Sequence, residues 1–286
     1  MRANLPAYEV RAPANLAEAL ETMAREPGEW RPLAGGTDLM VLLAAGQLAH
    51  RRFLSLWRLA GLRGIQESPG EVTLGALTTY SDVRRSPVLR REFPLLGEAA
   101  RQTGGIATQN RGTLAGNIVN GSPAADTPPA LLVYDAELEL ASAGGSRLVP
   151  YEHFHTGYKR MDLRPDELVR AIRLPRSQAP RASYYRKTGA RRAQAISKVV
   201  LAASVRMDGG VLRDVRIALS SVAPTVMRAR RAEAALDARR LSDQVVAAAR
   251  AELEAEISPI DDLRSTAAYR RRVAGNLLED FLGRMM

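Results

Sequence analysis

The sequence contains no cysteine. That excludes disulfides, a thiol nucleophile, thiolate-bound zinc and any cysteine-ligated iron–sulfur cluster in this chain. Aromatic residues make up only 5%, with four Phe and two Trp, and no nucleic-acid motif is visible, so nucleic acid is not an expected partner. Of the 41 cationic side chains only Lys159, Lys187 and Lys198 are lysines. The apolar run at residues 39–45 is far short of the roughly 20 residues that span a bilayer, and no membrane span is expected. MRANLPAYEV lacks the apolar core of a signal peptide, so a cytoplasmic protein is the expectation. No Gly-x-Ser-x-Gly elbow is present, so serine-hydrolase and carboxylate-pair readings find no support and no catalytic side chain is singled out. His153 and His155 have the metal-like spacing of alternate residues on a strand but no third ligand, so no metal site is expected either.

What is present is ordinary globular material. At 286 residues, 46% hydrophobic and 25% charged, the chain has the size of two domains and enough apolar surface for sizeable cores. The formal charge of +10 is spread over arginines in ones to threes. Such a distribution suits an anionic ligand or an acidic partner subunit as well as plain solvated faces.

The hydrophobic pattern predicts a small β/α unit over residues 1–60. Asn15 caps a helix whose Leu16, Leu20 and Met23 share one face, with Glu18 placed as in a capping box. A strand near Trp30–Leu33, a Gly35-Gly36 turn, an apolar helix ending near Gly46 and a buried strand at Phe53, Leu54 and Leu56 follow. Over 61–177 the pattern gives a strand at 72–77 and an amphipathic helix at 88–102 interrupted by Pro94. A long loop is expected at 103–128, then a helix begun by Pro128 and Pro129. Strands follow at 136–140, 147–149 and 168–174. Residues Ser177–Arg181 read as a domain boundary. Beyond them come three strands (183–187, 197–207, 211–220), an Asp208-Gly209-Gly210 hairpin turn, and helices at 228–238, 243–256 and 265–284, the second capped by Ser242. Strands followed by helices make this part a small α+β domain.

Two glycine segments concentrate the unusual residues. In Leu33-Ala34-Gly35-Gly36-Thr37-Asp38-Leu39, paired glycines between a strand and a helix allow close backbone approach to a ligand, and a helix start suits phosphate. A tight turn capped by Thr37 or Asp38 is the plain structural alternative. The second segment runs from Thr103, Gly104 and Gly105 through Thr113, Leu114, Ala115, Gly116 and Asn117 to Ser122 and Asp126. Asx-turns and hairpin caps would use the same residue types. Two such segments in one domain fit a ligand with two phosphates and a sugar better.

The stretches LAGGTDLM, GALTTYSDV, ATQNRGTLAGNIVNGSPAADTPPALL, DELVRAIRLP and YYRKTGARRAQAISKVVLA together resemble the FAD-binding (medium) subunit of molybdenum hydroxylases, the xanthine dehydrogenase and aerobic carbon monoxide dehydrogenase type. The resemblance runs from about residue 5 to the C-terminus. It implies an α+β fold: a two-subdomain FAD-binding domain at 1–177, of the vanillyl-alcohol-oxidase-like kind and divided near 60, followed by a C-terminal α+β domain at 182–286. It places the FAD pyrophosphate on Ala34, Gly35, Gly36, Thr37 and Asp38, flanked by Leu33 and Leu39. Thr103, Gly104, Thr113, Leu114, Ala115, Gly116 and Asn117 are the cofactor residues of the second segment, with Asp126 near the adenosine ribose. Ile118, Val119, Leu168 and Val169 would lie beside the isoalloxazine ring, and Lys187 would enter the flavin site from the C-terminal domain. A cation there favours the anionic reduced flavin.

The resemblance also implies partners. A large subunit carries molybdopterin, and a small one carries two [2Fe–2S] clusters. FAD, held non-covalently because no histidine lies in either glycine segment, passes electrons to NAD or another acceptor. The segment RRAQAISKV leans towards the xanthine dehydrogenase branch. Two departures stand out. Ala115 replaces a common glycine, and Ala195 stands where several relatives carry aspartate near the flavin's reactive edge, which puts a proton relay and NAD in doubt. The alternatives are a free-standing FAD oxidase and a non-redox basic module that binds nucleotides or an acidic partner.

Overall fold

Residues 7–176, 181–191 and 194–285 are described by the structure, a computed structural model. The first helix, Leu16–Arg25, begins as its sequence dictates: the Asn15 side chain accepts from the Glu18 amide. The Glu18 carboxylate in turn accepts from the Ala14 amide, one residue before the cap. Leu20 and Met23 are buried on the face it turns inward. Three short parallel strands complete this unit, in the order Glu9–Arg11, Arg52–Ser55, Arg31–Leu33. The helix Leu39–Ala44 leaves the glycine turn with none of its six apolar residues buried.

The second unit is a five-stranded antiparallel sheet. Its order is Ile65–Glu67, Glu71–Gly75, Leu168–Pro175, Glu137–Ser142, Gly145–Pro150. Pro94 splits the expected 88–102 helix into Pro87–Glu92 and Pro94–Gln102, starting the second at a position where its missing N–H costs nothing. The expected loop at 103–128 is instead largely helical, with turns at Ile106–Arg111 and Leu114–Asn120. Tertiary contacts supply what propensity does not. The buried Gln109 amide donates to the carbonyls of Arg101 and Thr103, and Leu114 donates to Thr78. His153 lies on a short helix, Tyr151–Phe154, rather than on a strand with His155.

A four-stranded antiparallel sheet (Ala182–Gly189, Ser197–Asp208, Val211–Ser220, Met227–Arg228) carries the helices Arg230–Leu236, Asp243–Glu256 and Ala267–Gly283. Period-2 alternation divides its two faces. Leu201, Ala203, Ile217 and Leu219 join the core beneath those helices, whereas Ala202 and its cross-strand neighbour Ala218 join the core of the preceding units. Small side chains on that face admit the helix Pro128–Val133. The boundary expected at Ser177–Arg181 falls, Arg181 apart, outside the described residues.

Arg176 directly follows the central strand and is bidentate to Glu92, 2.7 Å at both contacts. Hydrogen bonding to Arg176 draws the Glu92 carboxyl down from 4.5 to about 2. The charged form is therefore favoured in the folded state, and the contribution is present above pH 4.5 and lost as the pH falls towards 2. Urea midpoints measured at neutral pH and near pH 3 should fall less for Glu92→Gln than for the parent chain. An equal fall would mean that solvent has already screened the pair.

Candidate functional site

The two glycine segments, far apart in sequence, meet in space. A Cβ on Gly35 would penetrate the carbonyl of Arg111, so only glycine allows this approach. Gly36 has φ +75°, the left-handed region in which a side chain is strained. Across the junction Asn120 donates from Nδ2 to Asp38 Oδ1 at 3.2 Å. Gly112 sits so close to Tyr80 that a Cβ would stand 2.8 Å from the ring. At Gly35 the two segments meet backbone to backbone, an arrangement that suits a polyanion approaching N–H groups directly.

Within the second segment several short polar side chains already have protein partners. Thr113 caps Leu114–Asn120 by accepting from the Gly116 amide, and Asn117 accepts from the Thr127 hydroxyl at 2.7 Å. Thr103 donates to the Ala99 carbonyl, and Gly104, at φ +57°, ends the helix before it. Ala115 lies inside the helix, where the common glycine is not required. The Ile118 carbonyl meets His155 Nε2 at 2.9 Å, and burial lowers the His155 pKa. Leu114–Asn120 packs against the strand that carries Leu168 and Val169, both buried. Val119, in contrast, is over a third exposed.

Alternation along Ala182–Gly189 turns Tyr184 into the C-terminal core and sends Tyr185 and Lys187 the other way. Lys187 Nζ donates to Asp126 Oδ2 at 2.7 Å and to the Gln102 carbonyl at 3.1 Å. Ser197 donates to Asp126 Oδ1 at 2.5 Å, and Tyr185 to the Asp126 carbonyl at 3.0 Å. Burial pushes the Asp126 carboxyl up, and Lys187 and Ser197 oppose it. Ala195 approaches Gly189, and Ile196 is exposed. Arg192 and Ala193 lie outside the described residues.

Arg111, Asn120, Gln102, Tyr185, Ser197 and His155 were not among the expected cofactor residues. Only two left a trace in the sequence: Asn120 lies one turn beyond Asn117, and Tyr185 two residues before Lys187 on a strand. Ser197 reaches the cluster through a register, opposite Gly189, that no local pattern reveals.

The FAD binding domain found in molybdopterin dehydrogenases matches residues 6–177, and the CO dehydrogenase flavoprotein C-terminal domain matches residues 183–285. The chain belongs to the family of FAD-binding subunits of molybdenum hydroxylases and is an oxidoreductase component. A xanthine dehydrogenase FAD-binding subunit from Escherichia coli O157:H7 is 32% identical over 259 residues, 90% of this chain and 88% of that one. The carbon monoxide dehydrogenase medium chain of Hydrogenophaga pseudoflava is 30% identical over 274 residues, 96% of this chain and 95% of its own. A solved carbon monoxide dehydrogenase from that organism, lacking the Mo-pyranopterin moiety of its cofactor, superposes with a TM-score of 0.93 at 32% identity, covering 97% and 96%. Among the described residues no helix is long and apolar enough to cross a membrane.

Proposed function

We propose that this chain works with a small subunit carrying two [2Fe–2S] clusters and a large molybdopterin subunit, and that electrons from them leave for NAD or another acceptor by way of FAD held here. The observation that carries the reading is the meeting of Gly35 with Arg111, which builds a backbone cradle from two segments that the family pattern assigns to one cofactor. The residues fit FAD. Leu33 to Leu39 and Thr113 to Asn117 would hold the pyrophosphate, with Thr103 and Gly104 setting the start of the second segment. Ile118, Val119, Leu168 and Val169 offer apolar surface to the ring. Lys187 brings a cation from the C-terminal sheet, and Asp126 stands at the adenosine end.

Bound FAD supplies the redox chemistry, and the protein's part is binding, orientation and electrostatics. Non-covalent attachment follows from the absence of histidine in either segment. The segment from Arg191 to Val199 favours a xanthine dehydrogenase-like assembly over a carbon monoxide dehydrogenase-like one, and a cytoplasmic location accords with the whole reading.

The test is an absorbance spectrum of the purified chain, with the cofactor released by acid and identified. FAD in near-equal amount to protein supports the reading. No flavin, even after incubation with added FAD, overturns it and favours the non-redox module. Dithionite-reduced flavoprotein should then be reoxidised by NAD⁺. Reoxidation by dyes alone would remove NAD as acceptor.

A further inference from the structure

Both ends of the second glycine segment are held by the C-terminal domain. At its start the Gln102 carbonyl accepts from Lys187 Nζ at 3.1 Å, and at its end Asp126 Oδ2 accepts from the same ammonium at 2.7 Å. Both side chains are nearly buried, 8% and 10% exposed. Three further contacts from the C-terminal domain fix the same end. Ser197 and Tyr185 bond Asp126, and the Ser221 amide donates to the Pro123 carbonyl at 2.7 Å. The Ser221 hydroxyl closes the set by donating to the Ser197 carbonyl at 3.0 Å. Everything between the two stapled points, Thr103 to Ala125, includes the wall against which Gly35 rests.

We propose that Lys187 and Asp126 form an interdomain staple: positioning residues that close the 103–126 segment, so that the C-terminal domain sets the shape, and hence the affinity, of the cofactor cradle. The proposal rests on the flavin reading above and gives Asp126 a role other than ribose contact. Its carboxylate is occupied by the protein's own donors. A buried charge whose partner lies in the other domain couples the two domains strongly, because neither group is stable there alone.

The full-length chain carrying Asp126→Asn, Lys187→Met, both, or the milder Ser197→Ala decides the matter. FAD and FMN dissociation constants would be read by flavin fluorescence, and thermal unfolding would be followed without flavin. A staple affects both flavins, so Asp126→Asn should weaken FAD and FMN alike, by about tenfold, a usual size for coupling in a shared network. The double variant should be weakened less than the product of the singles. Weakened FAD with unchanged FMN would make Asp126 an adenosine ligand and overturn the staple, because FMN lacks that half. In the flavin-free chain the double variant should recover part of the melting temperature lost by the singles, whereas simple additivity would overturn the pairing. Should the parent chain bind neither flavin, the cofactor reading falls, and the unfolding cycle still decides whether the staple exists.

Discussion

Gly35→Ala is expected to weaken FAD binding sharply although it adds a single methyl group. That methyl lands on the Arg111 carbonyl, a backbone atom that cannot swing aside as a side chain would. One of the two segments must move, and the cradle opens. Forced displacement of packed backbone costs about 1–3 kcal/mol. Taken from binding, that is roughly 5- to 150-fold in the FAD dissociation constant. Gly97→Ala is the control. It lies in the helix Pro94–Gln102 with open space around it, so it should leave FAD affinity unchanged and stabilise the helix by up to about 1 kcal/mol. Titrating both purified variants with FAD separates the cases. A Gly35→Ala protein that binds FAD with the parent dissociation constant would show that the junction of the two segments is no cradle. Gly36→Val adds a second penalty, since a β-branched residue at φ +75° is strained before any ligand arrives.

The parts of the fold legible in the sequence were those whose cause is local. Asn15 and Ser242 accept from the amides of Glu18 and Val245 and set helix starts, because a cap needs only its next three residues. Gly209 and Gly210, both at positive φ, turn the hairpin between Ser197–Asp208 and Val211–Ser220 for the same reason. The helices at 106–111 and 114–120 were hidden, because Asn, Gly and Thr are poor helix formers and these turns depend on contacts from elsewhere. Gln109 is a clear case. Polar by composition, it is buried because its amide reaches the Arg101 and Thr103 carbonyls and its oxygen accepts from Arg84.

The candidate site divides along the same line. Gly35, Gly36, Thr113 and Gly116 announce themselves by residue type and spacing. Asn120 on Asp38, and Ser197 and Lys187 on Asp126, are pairings across the fold with separations of 82, 71 and 61 residues. The strand Glu9–Arg11 left no signal for a related reason. All three of its residues are exposed, so no alternation marks it, and only its pairing with Arg52–Leu54 makes it a strand.

Arg228→Met should produce the largest loss of stability in the C-terminal half. Arg228 is 3% exposed and donates from Nε and Nη2 to Glu233 at 2.5 and 2.9 Å. From Nη1 it reaches the Leu132 carbonyl and Asp135 of the FAD-binding domain. Removing the guanidinium leaves the Glu233 carboxylate, also buried, with the Ile217 amide at 2.7 Å and the more distant Arg230 at 3.4 Å. Breaking a buried pair from one side costs about 3–5 kcal/mol, chiefly the cost of the stranded charge. Arg228→Lys should rescue little, since an ammonium cannot replace a planar fork that serves four acceptors at once. Adding Glu233→Gln to Arg228→Met should recover a large part of the urea midpoint, because the stranded charge is then gone. Equal midpoints for the single and double variants would place the loss instead in the contacts to Leu132 and Asp135, and so in the docking of one domain on the other.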